Sequence, residues 1–409
     1  MVSGASGAAG SASVASTSWG VGHPRDVLLN GNAMIGEAGC KTIPEISYTA
    51  FAGRIGDRVS ADRTPLDGSL ELTFRCNLRC AHCFVNAPCG DRHVREQELT
   101  TAEIRRITDE VVDRGCLWML LTGGEPLLRP DLPEIYLHMK RRGLLVTLFT
   151  NGTAITPRIA DLLAEWPPLV VEVSIYGSAP DVYERMTGVP ASFRRCIRGI
   201  ELLLDRKVRL RLKTVPTTLN YADMDGMRAL AAGYGLDFEW DPLVNCRVDG
   251  SPKPAGVRLR PEQILALERG DPKRATAFRL EFGKASRVDP RADLITCGAY
   301  LHTFHIDPYG HLVPCMLLRQ PTYSLREGSF RQGWDEHFPA MRKRARTKAM
   351  PCDACDLHSA CDQCVGWALV ETGDPEARVP FLCDLTFVRA GVFSSMSQPN
   401  ALSCKGNLA

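Results

Sequence analysis

The sequence lacks both a long uncharged apolar run and a strong net charge. No apolar run reaches the roughly 18 residues that a membrane-spanning helix needs. The 49 basic residues nearly balance the 47 acidic ones, which gives a formal net charge of +2. We therefore expect neither a membrane nor nucleic acid as a partner. Hydrophobic residues occupy 44% of the 409 positions, which is enough for one large domain and a smaller one.

An export signal is also absent from the sequence. Residues 1–18 have neither a basic start nor an apolar core, so they do not resemble a secretory signal peptide. We therefore predict a cytoplasmic protein, in which clustered cysteines bind metal more often than they form disulfides. The same residues are rich in Gly, Ala and Ser. They are predicted to be disordered, as the start of an N-terminal extension over residues 1–66.

Strand and helix patterns alternate over residues 67–246. Six strands, from "SLELTF" to "LDFEWDPL", are separated by helices. The first long helix begins with a T-x-x-E capping box at Thr100 and Glu103. This order implies parallel strands in a barrel or a doubly wound sheet. Residues 247–292 are predicted to form a linker with one helix at 261–270.

Polar residues occupy one face of the fourth, fifth and sixth strands. Glu172, Arg211 and Glu239 represent this face, and the opposite face carries Val, Ile, Leu, Phe and Trp. Parallel strands that are buried on both sides are usually apolar throughout. We therefore favour a partly open barrel with a charged lumen over strands at a solvent-facing edge. A ligand is expected at the carboxyl ends of the strands.

Three cysteines follow the first strand directly, in the stretch "FRCNLRCAHCFV". Cys76, Cys80 and Cys83 have the spacing C-x-x-x-C-x-x-C. Three thiolates can bind three irons of a [4Fe–4S] cluster and leave the fourth iron without a protein ligand. An open coordination position is where a metal performs chemistry. The alternatives are a zinc site completed by His82, or unpaired buried thiols, although zinc sites more often combine two distant C-x-x-C pairs.

The three-cysteine loop on the first strand of a six-stranded barrel resembles the signature of the radical S-adenosylmethionine (radical SAM) superfamily. The resemblance implies a partial (β/α)6 TIM-like barrel and a [4Fe–4S] cluster whose open iron binds S-adenosylmethionine (SAM). It also implies that one electron cleaves SAM to methionine and a 5′-deoxyadenosyl radical, which abstracts hydrogen from the substrate. His82 stands where the family usually has an aromatic residue before the third cysteine.

The same resemblance assigns candidate SAM contacts to the ends of later strands. "TGGEP" ends the second strand, where glycines let backbone carbonyls approach a ligand and Glu125 would accept from the SAM ammonium group. Asn151 would face the ribose or carboxylate, with a turn-forming role as the alternative. Ser174 would contact the ribose, and Arg185 would pair with the SAM carboxylate unless it is an exposed helix charge. The candidate cofactor-binding residues are Gly123, Gly124, Glu125, Asn151, Ser174 and Arg185.

Seven further cysteines lie in a loop-rich stretch near the C-terminus. Their layout resembles a SPASM domain, the extension that carries auxiliary iron–sulfur clusters in radical SAM enzymes acting on peptides and proteins. We assign this domain to residues 293–398 and a tail to residues 399–409. A zinc ribbon on the two C-x-x-C pairs is the alternative, but it leaves three of these cysteines unexplained. The seven are Cys297, Cys315, Cys352, Cys355, Cys361, Cys364 and Cys383.

The resemblance divides these cysteines between one or two auxiliary clusters. The outer cluster would use Cys352, Cys355, Cys361 and Cys383, and the inner cluster would use Cys297, Cys315 and Cys364. Relatives supply a fourth inner cysteine where this chain has Arg291, which cannot bind iron. The inner cluster would therefore have an open site, or would use Asp293 or Cys246.

The resemblance to radical SAM enzymes with a SPASM domain implies a maturase of ribosomally made peptides. Such an enzyme abstracts hydrogen from a peptide and installs a crosslink, a thioether or an epimerised centre, with a one-electron donor such as flavodoxin or ferredoxin. Residues 19–66 are too short for a complete leader-binding domain, so a separate protein could recognise the leader. Anaerobic sulfatase maturases carry a basic Asp directly after the second SPASM cysteine, and Met316 in that place weakens this alternative. Modification of a small-molecule cofactor precursor stays open, and no catalytic residue is assigned.

Overall fold

The computed structural model describes residues 56–286, 294–295 and 297–394. The expectations for residues 1–18 and 399–409, and those for Arg291 and Asp293, therefore lie outside the described residues.

The described chain alternates strands and helices in its first half and becomes richer in loops afterwards. The first elements are β1 (Asp67–Glu71), β2 (Arg75–Cys76), β3 (Ala87–Pro88), α1 (Arg92–Gln97), α2 (Thr101–Asp113), β4 (Trp118–Thr122), α3 (Leu132–Arg141), β5 (Leu145–Thr150), α4 (Pro157–Glu165), β6 (Val170–Ser174), α5 (Pro180–Thr187), α6 (Ser192–Asp205), β7 (Leu210–Thr214), α7 (Met224–Gly233) and β8 (Phe238–Trp240). The later elements are α8 (Pro261–Gly270), α9 (Pro272–Phe282), β9 (Thr303–Ile306), β10 (His311–Val313), β11 (Tyr323–Ser324), α10 (Phe330–Gln332), α11 (Phe338–Arg342), α12 (Val365–Thr372) and α13 (Pro380–Phe393).

One sheet organises the described part of the chain, with the strand order β11-β10-β9-β1-β4-β5-β6-β7-β8. The six strands from β1 through β4 to β8 are parallel neighbours. This arrangement confirms the predicted α/β fold with a partial (β/α)6 barrel. Strand β9 also pairs in parallel with β1 and places Phe304 opposite Gly68. The C-terminal part of the chain therefore extends the barrel sheet, which the sequence patterns did not predict.

Helix α2 illustrates how local sequence sets an element and its packing. The predicted capping box is present, because Thr100 Oγ1 accepts from the Glu103 amide at 3.2 Å and the Thr100 amide donates to Glu103 Oε2 at 2.7 Å. Ile104, Ile107 and Val111 recur at helical spacing and are at most 2% exposed. Each such side chain stabilises the fold by about 1.5–3 kcal/mol on burial, which fixes α2 against the sheet.

The barrel interior is charged, as the strand periodicity predicted. Glu172 is 1% exposed and Arg211 is 7% exposed. The carboxylate of Glu172 lies 3.6 Å from Arg211 Nη1 and 3.3 Å from Lys213 Nζ. The same alternation predicts Arg209 and Asp237 on this face, but both are exposed, because each precedes the first residue of its strand. The polar face is therefore a set of neutralising pairs within the barrel.

Among the described helices, none combines the length and apolar composition of a membrane span.

The pairing of β9 with β1 depends on a glycine. A Cβ at Gly68 would lie 2.2 Å from Cζ of Phe304, whose ring packs edge-on against Phe330 with centroids 4.8 Å apart. We expect Gly68→Ala to lower the free energy of unfolding by about 1–3 kcal/mol, because the enclosed ring has little room to move. Urea unfolding of the metal-free protein measures this change.

Gly233→Ala is the matched control for that substitution. Gly233 is exposed in α7, and a Cβ there would meet no atom within 4 Å. We expect this control to be neutral, or to raise stability by about 0.5–1 kcal/mol through the higher helix propensity of Ala. Equal stability of Gly68→Ala and the control would contradict the close packing of β1 on β9.

Candidate active site

The three-cysteine loop lies directly after β1, at the carboxyl edge of the barrel. Burial raises the pKa of Cys76 to about 12 and raises the pKa values of Cys80 and Cys83. The nearby Cys83 and Cys76 raise the pKa of Cys80 further, so the structure brings the three thiols together. Thiolates at such a site need the positive charge of bound metal ions. The set therefore fits the iron–sulfur cluster that the sequence predicted.

A cluster site differs from a site for one metal ion. Within the described residues, no three His, Cys, Asp or Glu side chains form a group that could hold a single metal ion. In an iron–sulfur cluster each thiolate binds a different iron, so the ligands lie further apart than those of a single ion.

The predicted "TGGEP" turn is hydrogen-bonded to the backbone of the cysteine loop. The Gly124 amide donates to the Thr73 carbonyl at 2.7 Å, and the Glu125 amide donates to the Arg75 carbonyl at 2.9 Å. A Cβ at Gly123 would lie 2.3 Å from the Thr73 oxygen, and one at Gly124 would lie 2.3 Å from the Arg75 oxygen. Gly123 also has φ of +135°, which other residues rarely adopt. These glycines therefore allow the turn to hold the chain just before Cys76.

Glu125 connects this turn to the end of the next strand. Its side chain is 0% exposed, and it accepts from the Asn151 amide at 2.7 Å, Thr150 Oγ1 at 2.8 Å and the Leu127 amide at 3.1 Å. Burial raises the pKa of Glu125 to about 7, although the hydrogen bonds from these three donors lower it. In this structure Glu125 positions Asn151, and its contact with the SAM ammonium group stays a prediction.

Asn151 lies beside the first cysteine. Its Nδ2 donates to Asn77 Oδ1 at 2.9 Å and lies 3.8 Å from Cys76 Sγ. Its Oδ1 accepts from the Thr153 amide at 3.0 Å. This bond gives Asn151 the turn-forming role that the sequence offered as the alternative to a SAM contact. Asn151 therefore shapes a turn and contacts the cysteine loop at the same time.

An aromatic and polar group surrounds the position before the third cysteine. Ser174, the last residue of β6, bonds through its side chain to Tyr176. The Tyr176 ring lies 4.8 Å from the ring of His82. Burial lowers the pKa of His82 to about 4, and its Nδ1 is buried without a hydrogen-bond partner among the described residues. A neutral imidazole with an unused polar atom fits a site where a ligand supplies the missing partner.

Arg185 is exposed in α5, and its Nη2 donates to the Leu219 carbonyl at 2.9 Å. The same helix end holds the cysteine loop, because the Arg79 and Ala81 amides donate to the carbonyls of Thr187 and Met186 at 2.8 and 3.0 Å. Arg185 therefore lies one residue from that contact, and its pairing with the SAM carboxylate stays a prediction.

The described C-terminal cysteines lie in two groups. One cavity is lined by Cys352, Cys355, Cys361 and Cys383. Thr386 Oγ1 donates to Cys361 Sγ at 3.2 Å in this group. Burial and the nearby Cys364 and Cys297 raise the pKa of Cys315 to about 12, which places the other three cysteines together. Cys246 is buried near Glu371 and Arg258.

The sequence did not predict a buried ion cluster that links the two halves of the chain. Glu71 is 1% exposed and accepts from Arg319 at 2.8 and 3.0 Å, and His305 Nε2 lies 3.0 Å from its Oε2. Although burial opposes ionisation, Arg319 and His305 lower the pKa of Glu71 to about 2. The Arg319 guanidinium also lies 5.3 Å from the ring centroid of Phe74. The segment after Cys315 is thereby tied to the segment before Cys76.

The basic run at residues 341–348 also has structural partners. Arg342 Nη1 donates to the carbonyls of Cys297 and Ala299 at 2.6 and 2.8 Å. Arg346 pairs with Asp353, and Lys348 pairs with Asp374. These groups therefore stabilise the loops around the C-terminal cysteines.

Proteins of known family resemble this chain in sequence and in fold. Residues 70–231 match the family model of the radical SAM superfamily. An AdoMet-dependent heme synthase of Methanosarcina barkeri is 28% identical over 332 residues, which cover 76% of this chain and 94% of that protein. The mycofactocin maturase MftC of Mycobacterium tuberculosis is 26% identical over 309 residues, covering 73% of this chain and 77% of that protein.

A solved structure shares the fold. Streptococcus suis SuiB bound to precursor peptide SuiA matches with a TM-score of 0.61 and 17% identity, over 88% of this chain and 85% of SuiB. The described chain therefore shares its fold with SuiB over most of its length.

The contact between the glycine turn and the cysteine loop predicts the effect of Gly124→Ala. The added methyl group would clash with the Arg75 carbonyl and displace the chain next to Cys76. We expect the variant to lose about 4 irons per chain after anaerobic reconstitution, which is the content of one [4Fe–4S] cluster. Gly391→Ala is the control, because a Cβ at this exposed position in α13 meets no atom within 4 Å. Unchanged iron content in Gly124→Ala would contradict this role of the turn.

The buried ion cluster predicts a large effect of Arg319→Ala on stability. Removing the guanidinium leaves the Glu71 carboxylate buried with His305 as its remaining partner, and breaking a buried pair costs about 3–5 kcal/mol. Denaturant unfolding of the metal-free protein measures the loss. Arg331→Ala is the control, because Arg331 is 85% exposed and its ion pair with Asp335 spans 3.7 Å. We expect the control to change stability by less than about 1 kcal/mol, and equal effects would contradict the argument.

Proposed function

We propose that this chain, whose residues 70–231 match the radical SAM family model, is a radical SAM enzyme that modifies a ribosomally made peptide after hydrogen abstraction. The modification is a crosslink, a thioether or an epimerised centre. Cys76, Cys80 and Cys83 would hold an iron–sulfur cluster, which would supply the electron for reductive cleavage of SAM and so the radical that takes the hydrogen. The grouping of seven C-terminal cysteines carries the peptide assignment, because this layout resembles the SPASM extension of enzymes that act on peptides and proteins. A relative named as a maturase supports it.

Residues at the ends of several strands are proposed to contact SAM. Gly123 and Gly124 are proposed to present backbone carbonyls to SAM at the end of β4, and their lack of a Cβ lets the turn pack on the cysteine loop. Asn151 and Ser174 present polar groups at the ends of β5 and β6. The unused Nδ1 of His82 can bond the ligand in this buried setting. Arg185 is proposed to pair with the SAM carboxylate, which requires its side chain to leave the Leu219 carbonyl.

The barrel interior can bind the substrate and hold a proton. Burial lowers the pKa of Lys213 to about 8, although Glu172 opposes this shift. Lys213 lies in register with Ser174 on the neighbouring strand. Its Nζ can therefore exchange a proton near neutral pH at the level of the proposed SAM site.

The C-terminal cysteines are proposed to bind two auxiliary clusters. Four thiols lining one cavity match the four ligands of a complete [4Fe–4S] cluster. The group of Cys297, Cys315 and Cys364 has three thiols, so one iron there would be open or would take another ligand. A separate leader-binding protein and a one-electron donor are the proposed partners.

A small-molecule reaction is the second candidate function. The relative named as a heme synthase is matched over 94% of its length, which favours a heme precursor as the substrate of this alternative. Oxidation of a sulfatase-type protein has less support. Met316 follows Cys315 directly, and its thioether cannot accept a proton.

An anaerobic assay separates these functions. We expect the reconstituted protein, given dithionite, SAM and a candidate precursor peptide, to release 5′-deoxyadenosine and to modify the peptide. Mass spectrometry in deuterated buffer detects a crosslink as the loss of two hydrogens and an epimerisation as deuterium uptake. Modification of a heme precursor and of no peptide would overturn the proposal in favour of the second function.

Cysteine variants test whether the cluster that cleaves SAM and the auxiliary clusters use the proposed ligands. Cys80→Ala is expected to abolish 5′-deoxyadenosine formation, because it removes a ligand of the SAM-binding cluster. Cys352→Ala is expected to lower iron from about 12 to about 8 per chain while 5′-deoxyadenosine is still formed. Cys89→Ala is the control, because Cys89 is exposed and lies outside both groups. Full iron content in Cys352→Ala would contradict the outer cluster.

A further inference from the structure

A basic cavity opens beside the cysteine loop. It has a volume of about 240 Å³, and its lining includes Cys80, Cys83, Arg79, Arg247 and Lys253. Among the described residues that line it, none is acidic. The cavity therefore connects a positively charged surface with two of the three thiols that the proposed cluster uses.

The three cations are held at the cavity in different ways. Arg79 and Lys253 are exposed, so both can reach a partner in solution, and Arg79 also donates through Nη2 to the Gly188 carbonyl at 3.0 Å. Arg247 is fixed by Asn86, with Nη1 3.1 Å from Oδ1 and Nη2 3.3 Å from the carbonyl oxygen. Arg247 also forms an ion pair with Asp249, with Nε 3.1 Å from Oδ2. One acid against three cations leaves the surface positive.

The proposed chemistry needs an electron from outside at these cysteines. Electron tunnelling weakens steeply with distance, so a donor protein has to dock where the cysteine loop comes close to the surface. Complementary charge accelerates such an encounter and orients the partner. The basic run at 341–348 serves this purpose less well, because its Arg342, Arg346 and Lys348 contact the loops around the C-terminal cysteines and not the loop that follows β1.

We propose that the basic cavity at Arg79, Arg247 and Lys253 is the docking surface of an acidic one-electron donor protein of the flavodoxin or ferredoxin class. This inference rests on the proposed function, because that function creates the need for the electron. The donor loses one electron, and the iron held at Cys76, Cys80 and Cys83 gains it, with no proton transferred.

The test compares a protein reductant with a small chemical one. The reconstituted holoenzyme is reduced either by reduced flavodoxin or by dithionite, and absorbance at the cluster band reports the rate. For Lys253→Glu we expect the ratio of the flavodoxin-driven to the dithionite-driven rate to fall about tenfold. We also expect weaker flavodoxin binding by calorimetry and a smaller salt dependence, because one attractive charge has become repulsive. Arg79→Glu should lower the same ratio.

Arg269→Glu is the matched control, because Arg269 is exposed in α8 and lies outside the cavity lining. An unchanged rate ratio in Lys253→Glu would overturn the proposal. So would a loss of precursor-peptide binding with flavodoxin binding intact, because the cavity would then be a peptide site. Failure of the proposed function gives a different result, in which dithionite-reduced wild-type protein forms 5′-deoxyadenosine without modifying any peptide.

Discussion

The backbone contact between the cysteine loop and the glycine turn is the constraint on which the candidate site depends. Two hydrogen bonds, from the amides of Gly124 and Glu125, hold residues 73–75 against the end of β4. The contact is possible because Gly123 and Gly124 have no Cβ, which would otherwise clash with the carbonyl oxygens of Thr73 and Arg75. Glu125 then extends it to Asn151, which reaches Cys76. The ends of three adjacent strands are thus fixed relative to one thiol before any cofactor binds.

The second constraint is the parallel pairing of β9 with β1. It brings His305 next to Ser69 and Glu71, and Arg319 completes the charge pairing from the segment after Cys315. A buried carboxylate is costly unless it is paired and hydrogen-bonded, so these groups favour one arrangement of the two halves. The C-terminal cysteine groups are therefore built onto the barrel sheet and are not carried by a loosely attached unit.

The sequence predicted local features better than long-range ones. The capping box of α2 and the six parallel barrel strands follow from periodicity and short motifs, because these signals lie within a few residues of each other. The pairing of β9 with β1 joins segments more than 230 residues apart, and the sequence of neither strand contains a signal that identifies the other. The short strand β9 is also only four residues long. Glu71 lay on a predicted strand, but its partners could be identified only once that pairing was known.

The charged lumen has a consequence for the kind of substrate. Glu172 is already close to Arg211 and Lys213, and the low pKa of Lys213 reflects the cost of burying its charge. A substrate group that enters the barrel must therefore compete with an existing pair, and an apolar group would leave that pair undisturbed. A substrate carboxylate would instead be attracted by Lys213 and repelled by Glu172. A neutral hydrogen-bonding group, such as the amide of a peptide backbone, would contact these side chains without displacing a charge, which agrees with the proposed peptide substrate.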